Sequence, residues 1–212
     1  MSTLLAEILP AGVRSSEAFD DLTPAPLFAA EDALLAGAGP KRRGEFATVR
    51  RCARNALSQL GFPPGPLVRG TGGAPVWPVG VVGSMTHCAG YRAAAVARAG
   101  EVDVLGIDAE PAEPLPRGVL GLVTAPHERA HLAELADDAP DMCWDRLLFC
   151  AKEAVYKAWF PLTEKWLGFR DATVEIDPGG GFSAELRPGA SPSRFAGRWR
   201  AGDGLIVVAI AA

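Results

Sequence analysis

The segment from Trp144 to Phe160 constrains this chain more than any other. Trp144, Leu147, Leu148, Ala151, Val155, Ala158 and Trp159 recur at helical spacing, and most residues between them are apolar too. A helix that is apolar nearly all round is a buried helix, so other elements must wrap around it. The same segment nevertheless carries Lys152, Glu153 and Lys157. Charges on a buried helix need partners, because an unpaired ion in a low-dielectric interior is expensive. Glu153 and Lys157 are four residues apart and share a face. Two readings fit: an ordinary ion pair worth about 0.3–0.5 kcal/mol, or a functional patch with Glu153 on a metal and both lysines on phosphate. Pro161 is expected to end this helix at Phe160.

A second helix is predicted over Lys41–Leu60, where Phe46, Val49, Ala53, Ala56, Leu57 and Leu60 recur at helical spacing and Gly61 follows as a stop signal. Ahead of it, residues 1–40 are mixed, broken by Pro24, Pro26, Gly37, Gly39 and Pro40, with a short helix over Ala30–Ala36. Residues 61–80, rich in Gly and Pro, read as loop. Strands are expected at Val79–Ser84, Tyr91–Arg98 and Val104–Ala109, and a helix at Pro126–Leu135. The tail alternates strands and turns at Ala172–Ile176, Phe182–Leu186, Phe195–Ala201 and Leu205–Ala211. Each half thus pairs a long helix with strands. Pro111–Pro116 is the natural internal boundary, which divides the chain into 1–110 and 111–212.

Charge narrows the function classes. The 212 residues carry a net charge of −4, so a global nucleic-acid binder, normally basic, is disfavoured. The cations are instead clustered: six of the 21 basic residues fall between Lys41 and Arg54, and three of the four lysines between Lys152 and Lys165. Two local positive patches on an acidic protein suit a small anionic ligand. Cys52, Cys88, Cys143 and Cys150 form no C-x-x-C pair, which fits reduced thiols. The N-terminus meets Glu7 early and has no basic leader, and no run of about 18 uncharged apolar residues occurs. A cytoplasmic protein is expected.

Three further motifs bear chemistry. Gly106-Ile107-Asp108-Ala109-Glu110-Pro111 ends an apolar strand, and alternation puts Asp108 and Glu110 on one face. Two such carboxylates suit Mg²⁺, which takes few protein ligands and fills its shell with water and phosphate; two solvated acids at a strand end fit equally. Gly83-Ser84-Met85-Thr86-His87-Cys88-Ala89-Gly90 could seat a phosphate through Ser84, Thr86 and His87, or form a strand-to-helix turn with a hydroxyl cap. Adjacent His87 and Cys88 do not make a nucleophile pair, whose partners come from distant segments. Finally, Arg43, Arg50 and Arg54 make one stripe of the basic helix, with Lys41 and Arg42 at its N-terminus, where anions are favoured. It is either a solvated basic face or a phosphate grip.

Taken together, KRRGEFATVRRCARNAL, VVGSMTHCAGYR, VLGIDAEP, WDRLLFCAKEAVYKAWFPLT and WLGF, spanning roughly residues 41–169, resemble the Sfp-type 4′-phosphopantetheinyl transferases in motif content and order. The likeness is strongest to actinobacterial, mycobacterial-type members that activate fatty-acid and polyketide carriers. The resemblance implies an α+β fold of two similar α/β halves related by pseudo-twofold symmetry, with coenzyme A between them. It implies Mg²⁺, with Mn²⁺ as an alternative, on Asp108, Glu110 and Glu153. It places Lys152 and Lys157 on the pyrophosphate, and Arg42, Arg50, Arg69 and His87 on the 3′-phosphate side, with Ser84 and Thr86 lining the same region. Tyr156, Trp166 and Phe169 look like walls for the pantetheine arm or the carrier.

The activity so implied transfers phosphopantetheine from coenzyme A to a serine of an acyl or peptidyl carrier protein, releasing adenosine 3′,5′-bisphosphate. Such chemistry needs positioning and charge neutralisation more than covalent help. Glu153 or a water takes the serine proton, and Lys157 acts beside it. The implied partners are coenzyme A and carrier domains, with no nucleic acid and no membrane, and the chain is a monomer. Ala109 supplies no third acid between Asp108 and Glu110, and Arg69 stands where relatives carry lysine, a cation of different geometry. Two rivals use the same residues: a metal-dependent nucleotide pyrophosphohydrolase, for which no glutamate-rich hydrolase motif is visible, and a non-catalytic nucleotide-binding module.

Overall fold

The computed structural model describes residues 3–23 and 25–212; Pro24, read above as a break in the N-terminal pattern, lies outside them. In chain order the elements are β1 (Arg14–Ala18), α1 (Ala29–Asp32), α2 (Pro40–Gln59), β2 (Val81–Cys88), β3 (Tyr91–Arg98), β4 (Leu105–Pro111), α3 (Val119–Val123), α4 (Pro126–Asp138) and α5 (Trp144–Thr163). The tail adds β5 (Ala172–Asp177), β6 (Gly181–Leu186), β7 (Arg194–Gly202) and β8 (Leu205–Ala211).

Two antiparallel sheets result, ordered β1-β3-β2 and β4-β8-β7-β6-β5. The central strand β3, Tyr-Arg-Ala-Ala-Ala-Val-Ala-Arg, is buried on both faces. Its small side chains permit this. Ala94 and Val96 meet Cys52, Ala53, Ala56 and Leu57 of α2, while Ala93, Ala95 and Ala97 meet Ile107 and Ala109 of β4 and Val207 and Ala209 of β8. The opposite faces of β4 and β8 lie against α5, where Ile206, Val208 and Ile210 join Leu147, Cys150, Ala151 and Ala154. Strand β8 is therefore covered twice. That explains why Leu-Ile-Val-Val-Ala-Ile-Ala runs apolar without alternation, each large side chain contributing about 1.5–3 kcal/mol. Each half has one 20-residue helix packed on a sheet, giving the two-half α/β arrangement expected.

The halves join along β2 and β4. These edge strands do not form a shared ladder; side chains bridge them instead. The Ser84 hydroxyl accepts from Ile107 N–H (3.0 Å) and the Thr86 hydroxyl from Ala109 N–H (3.2 Å). Buried strand-edge donors need such partners.

Three expectations need correction. α5 does not stop at Phe160 but runs through Pro161 to Thr163; proline removes one N–H, and Phe160 C=O still accepts from Glu164 N–H at 2.8 Å. The segment after Gly83 is not a strand-to-helix turn: β2 continues to Cys88 and returns as β3 through Ala89 and Gly90, the latter at φ 74°. β1 escaped notice because Arg-Ser-Ser-Glu-Ala has no apolar alternation. Among the described residues no helix is long and apolar enough to cross a membrane.

Candidate active site

One glycine brings the acids to the helix. A Cβ on Gly106 would lie 2.3 Å from Ala154 O and 2.8 Å from Ala158 N, so β4 rests directly on the α5 backbone. Alternation then turns Asp108 and Glu110 toward α5, where Glu153 and Lys157 stand one turn apart.

Asp108 is 6% exposed. Its Oδ1 accepts from Lys157 Nζ at 2.7 Å and from the Thr86 hydroxyl at 2.9 Å. Its Oδ2 is buried without a geometric hydrogen-bond partner, and the weakly donating Cys150 thiol is the polar group that interacts with this carboxylate from the core side. An unmatched carboxylate oxygen in the interior is costly. Lys157 also donates to Ile107 O (3.1 Å) and Met85 O (3.3 Å), so its ammonium ties β4 to β2. The sequence suggested a Glu153–Lys157 pair; the lysine is paired with Asp108 instead, and among the described residues Glu153 makes no hydrogen bond or ion pair. Glu110 is held by Arg146 at 3.0 Å. Burial, then the charge of Asp108, raises the carboxyl pKa of both Glu110 and Glu153.

A cavity of about 400 Å³ opens beside this corner, walled by α2, β2, the loop after residue 68 and the C-terminal part of α5. Arg42, Arg50, Arg69, Ser84, Thr86, His87, Glu153 and Lys157 all line it, as do Phe46, Trp77 and Tyr156. The Arg50 guanidinium lies 3.5 Å above the Phe46 ring, with Arg69 5.9 Å from the same ring. Burial lowers the Arg50 pKa to about 10, opposed by Glu31, and leaves it charged at neutral pH. The glycine-rich loop carrying Arg69 is seated by Gly72, whose φ is 61° and where a Cβ would meet Phe160 Cζ at 2.2 Å.

His87 Nε2 lies 2.7 Å from an Arg42 nitrogen. Arginine only donates, so Nε2 accepts and the ring proton sits on Nδ1. Burial first, then Arg42, depresses the His87 pKa, which keeps the ring neutral. The Cys88 thiol is pushed up to about 12 by burial, Glu110 and Asp108, which removes it as a nucleophile.

The structure does not bring every expected residue into the cavity. Lys152 is 3% exposed and turns away, its ammonium donating to Glu128, Val123 O and Phe169 O, each at 2.8 Å. It ties α4 and the segment before β5 to α5 and has no donor left for a phosphate. Arg43 and Arg54, read as part of one phosphate stripe with Arg50, are pinned outside the cavity by Asp32 and Glu31. Ser84 and Thr86 line the cavity, and both hydroxyls accept from the β4 backbone, that of Thr86 also donating to Asp108. Tyr156, Trp166 and Phe169 do gather, around a smaller recess beside Glu153.

Sequence reasoning missed Glu45, Arg92 and Arg146. Glu45 sits 3.7 Å from both Arg42 and Arg92 and 4.0 Å from His87, a counter-charge inside the cationic wall. Its place in the basic run, three residues after Arg42, was the available signal. Arg146 stands two turns before Glu153 on the same helix face.

Among the described residues no three acidic, histidine or cysteine side chains form a ready-made metal cage. Asp108 and Glu110 are each drawn to a cation. Even so, the donor set fits a divalent ion. Asp108 presents a buried oxygen without a partner, and Glu110 and Glu153 both feel its charge.

Two family models divide the chain. One, described as the 4′-phosphopantetheinyl transferase N-terminal domain, matches residues 30–97, and one, described as the 4′-phosphopantetheinyl transferase superfamily, matches residues 104–209. The chain is 54% identical to the 4′-phosphopantetheinyl transferase Svp of Streptomyces mobaraensis, over 98% of this chain and 89% of that protein. It is 46% identical to the transferase PptT of Mycobacterium tuberculosis, over 99% and 98%, and 48% identical to Npt of Nocardia iowensis, over 98% and 99%.

Proposed function

The chain belongs to the 4′-phosphopantetheinyl transferase superfamily, and from that premise we propose that the cavity between its halves is the site where coenzyme A is held and cleaved. The enzyme transfers 4′-phosphopantetheine from coenzyme A to a serine of a carrier protein and releases adenosine 3′,5′-bisphosphate. The pyrophosphohydrolase and binding-module readings fall away with that membership.

We assign Arg42, Arg50, Arg69 and His87 to the 3′-phosphate end. Arg forks bind phosphate bidentately, and the Phe46 ring supports the Arg50 guanidinium at 3.5 Å. The neutral His87 ring offers Nδ1–H as a further donor. Ser84 and Thr86 act at one remove, holding β4 so that Asp108 stands directly behind Thr86 and Lys157 of the cavity wall.

Asp108, Glu110 and Glu153 are the proposed ligands of Mg²⁺, with Mn²⁺ able to replace it. Such an ion supplies charge neutralisation to the diphosphate when bound. Lys157 adds a fixed positive charge at the same corner and exchanges one of its backbone acceptors for a phosphate oxygen. The proton of the attacking serine goes to Glu153, through the carboxylate oxygen that the ion would leave free, or to a water beside it. The serine oxygen forms a bond to the β-phosphorus, and the bond to the bridging oxygen of the diphosphate breaks.

We further propose a cytoplasmic monomer, because both walls of the cavity come from one chain, with no role for nucleic acid or membrane. The halves are taken as 1–110 and 111–212, with β4 carrying the acids of the first half into the second sheet. The buried, unpartnered Oδ2 of Asp108 beside a cationic cavity carries this site assignment. It is tested by mass spectrometry of an apo carrier protein incubated with coenzyme A, Mg²⁺ and either the wild type or Glu153→Gln. Wild type adds one phosphopantetheine. The variant still binds coenzyme A but turns over about 100-fold more slowly or worse; full turnover by the variant refutes the assignment.

A further inference from the structure

Arg146 lies near the start of α5, outside the cavity, and none of the reaction chemistry above uses it. Each of its three guanidinium nitrogens nevertheless donates a hydrogen bond. One terminal nitrogen donates to Glu110 Oε2 at 3.0 Å, Nε donates to Glu113 O at 2.8 Å, and the other terminal nitrogen donates to Pro114 O at 2.9 Å. The neighbouring Asp145 accepts from Leu115 N–H at 2.8 Å. Two consecutive residues of one helix thus grip Glu110, Glu113, Pro114 and Leu115, four points on the chain that leaves β4. The side chain of Arg146 is only 14% exposed and that of Glu110 22%.

This arrangement has a consequence for Glu110. The acid sits at the penultimate position of β4, where the ladder to β8 is about to end and the backbone turns away into a proline-containing segment. Nothing in the strand itself fixes its side-chain rotamer. The Arg146 fork does so: it occupies Oε2 and leaves Oε1 for another partner, while the same planar group holds the backbone three and four residues on. Arg146 and Glu153 are seven residues apart, two helical turns, and lie on the same face of α5. One helix therefore carries both a direct acid of the site and the group that aims a second acid from another strand.

We propose that Arg146 is a positioning residue for the divalent-ion site, orienting Glu110 with one guanidinium nitrogen while the other two, fixed in the same plane, grip the backbone at Glu113 and Pro114, a spread that the single ammonium of lysine does not reproduce. The inference rests on the reading of Asp108, Glu110 and Glu153 as ligands of that ion. Groups that orient metal-binding carboxylates are worth 10–100-fold in metal affinity. A rival physical outcome also exists: as a cation bound to Glu110, Arg146 would compete with the metal, and its removal would then tighten metal binding.

The test uses the full chain, coenzyme A and no carrier protein, so that nothing turns over. Mn²⁺ binding is read by electron paramagnetic resonance of the free ion for the wild type, Arg146→Lys, Arg146→Gln and Glu153→Gln. Binding of adenosine 3′,5′-bisphosphate without metal is measured in parallel by calorimetry. The expected result is that both Arg146 variants weaken Mn²⁺ binding about tenfold or more while nucleotide binding stays at the wild-type value. Retention of Mn²⁺ affinity, or tighter binding, overturns the proposal, as does a parallel loss of nucleotide binding, which marks a general structural role. If Glu153→Gln loses Mn²⁺ while Arg146→Lys keeps it, the positioning role alone fails. If the wild type binds no Mn²⁺, the metal reading fails with it.

Discussion

The ammonium of Lys157 lies 2.7 Å from Oδ1 of Asp108, across the line where the two sheets meet. This contact joins α5 to β4 and, through Met85 O, to β2. It also leaves the second oxygen of Asp108 without a partner. Lys157→Ala then leaves a nearly buried carboxylate with no cation. Because the lysine side chain is 27% exposed, the expected cost is about 2 kcal/mol, below the range for fully buried pairs. Urea unfolding with and without Mg²⁺ checks it: the ion should restore part of the loss in the variant, and turnover should still fall.

Gly106 is the next point of sensitivity. Its missing Cβ lets β4 touch the α5 backbone at Ala154 O. Gly106→Ala must push strand and helix apart, since the obstructing atoms are backbone. Overpacking of this kind costs about 1–3 kcal/mol, and Asp108 and Glu110 move away from Glu153 with it. Chemical denaturation and kcat should both report the change, with kcat falling further than stability alone explains.

Much of this site was legible in the sequence, because its chemistry is concentrated in local patterns. Strand alternation puts Asp108 and Glu110 on one face of β4, and helical spacing puts Glu153 and Lys157 on one face of α5; the structure then pairs Lys157 with Asp108 and Glu110 with Arg146. Lys152 was misplaced because its partner, Glu128, comes from another helix: adjacent helix residues point about 100° apart, and the ammonium of Lys152 turns to α4 while Glu153 lines the larger cavity. Arg43 and Arg54 were misread because their acidic partners, Asp32 and Glu31, lie in a segment with little pattern of its own. β1 was missed because β3 and α2, rather than its own residues, supply its reason to be a strand.

Lys152 offers a clean separation of structural from ligand roles. Lys152→Met strands Glu128, which is 1% exposed, and should cost about 3–5 kcal/mol. Adding Glu128→Gln should recover part of that, since the buried charge is gone. In the folded double variant KM for coenzyme A should match the wild type. A raised KM would instead place the ammonium on the diphosphate.

His87 gives the pH dependence. Its pKa is depressed in the folded state by burial and by Arg42, so below about 6.5 the unfolded chain binds the proton first. Its contribution to stability is therefore present above the unfolded pKa and is lost as pH falls through the folded one. Proton NMR of His87 should show a midpoint below 6.5, and adenosine 3′,5′-bisphosphate should raise it, because a nearby phosphate favours imidazolium. His87→Gln should flatten the fall in melting temperature between neutral and mildly acid pH.

The central claim is that Asp108, Glu110 and Glu153 hold one divalent ion against the diphosphate of coenzyme A. Crystals grown with coenzyme A and Mn²⁺, measured for anomalous scattering, address it directly. The account predicts a single peak contacting Asp108 Oδ2 and the Glu153 carboxylate, with the diphosphate on its open side and Glu110 completing the group. A diphosphate seated in the cavity with no metal between it and those carboxylates, or a peak elsewhere in the molecule, contradicts it.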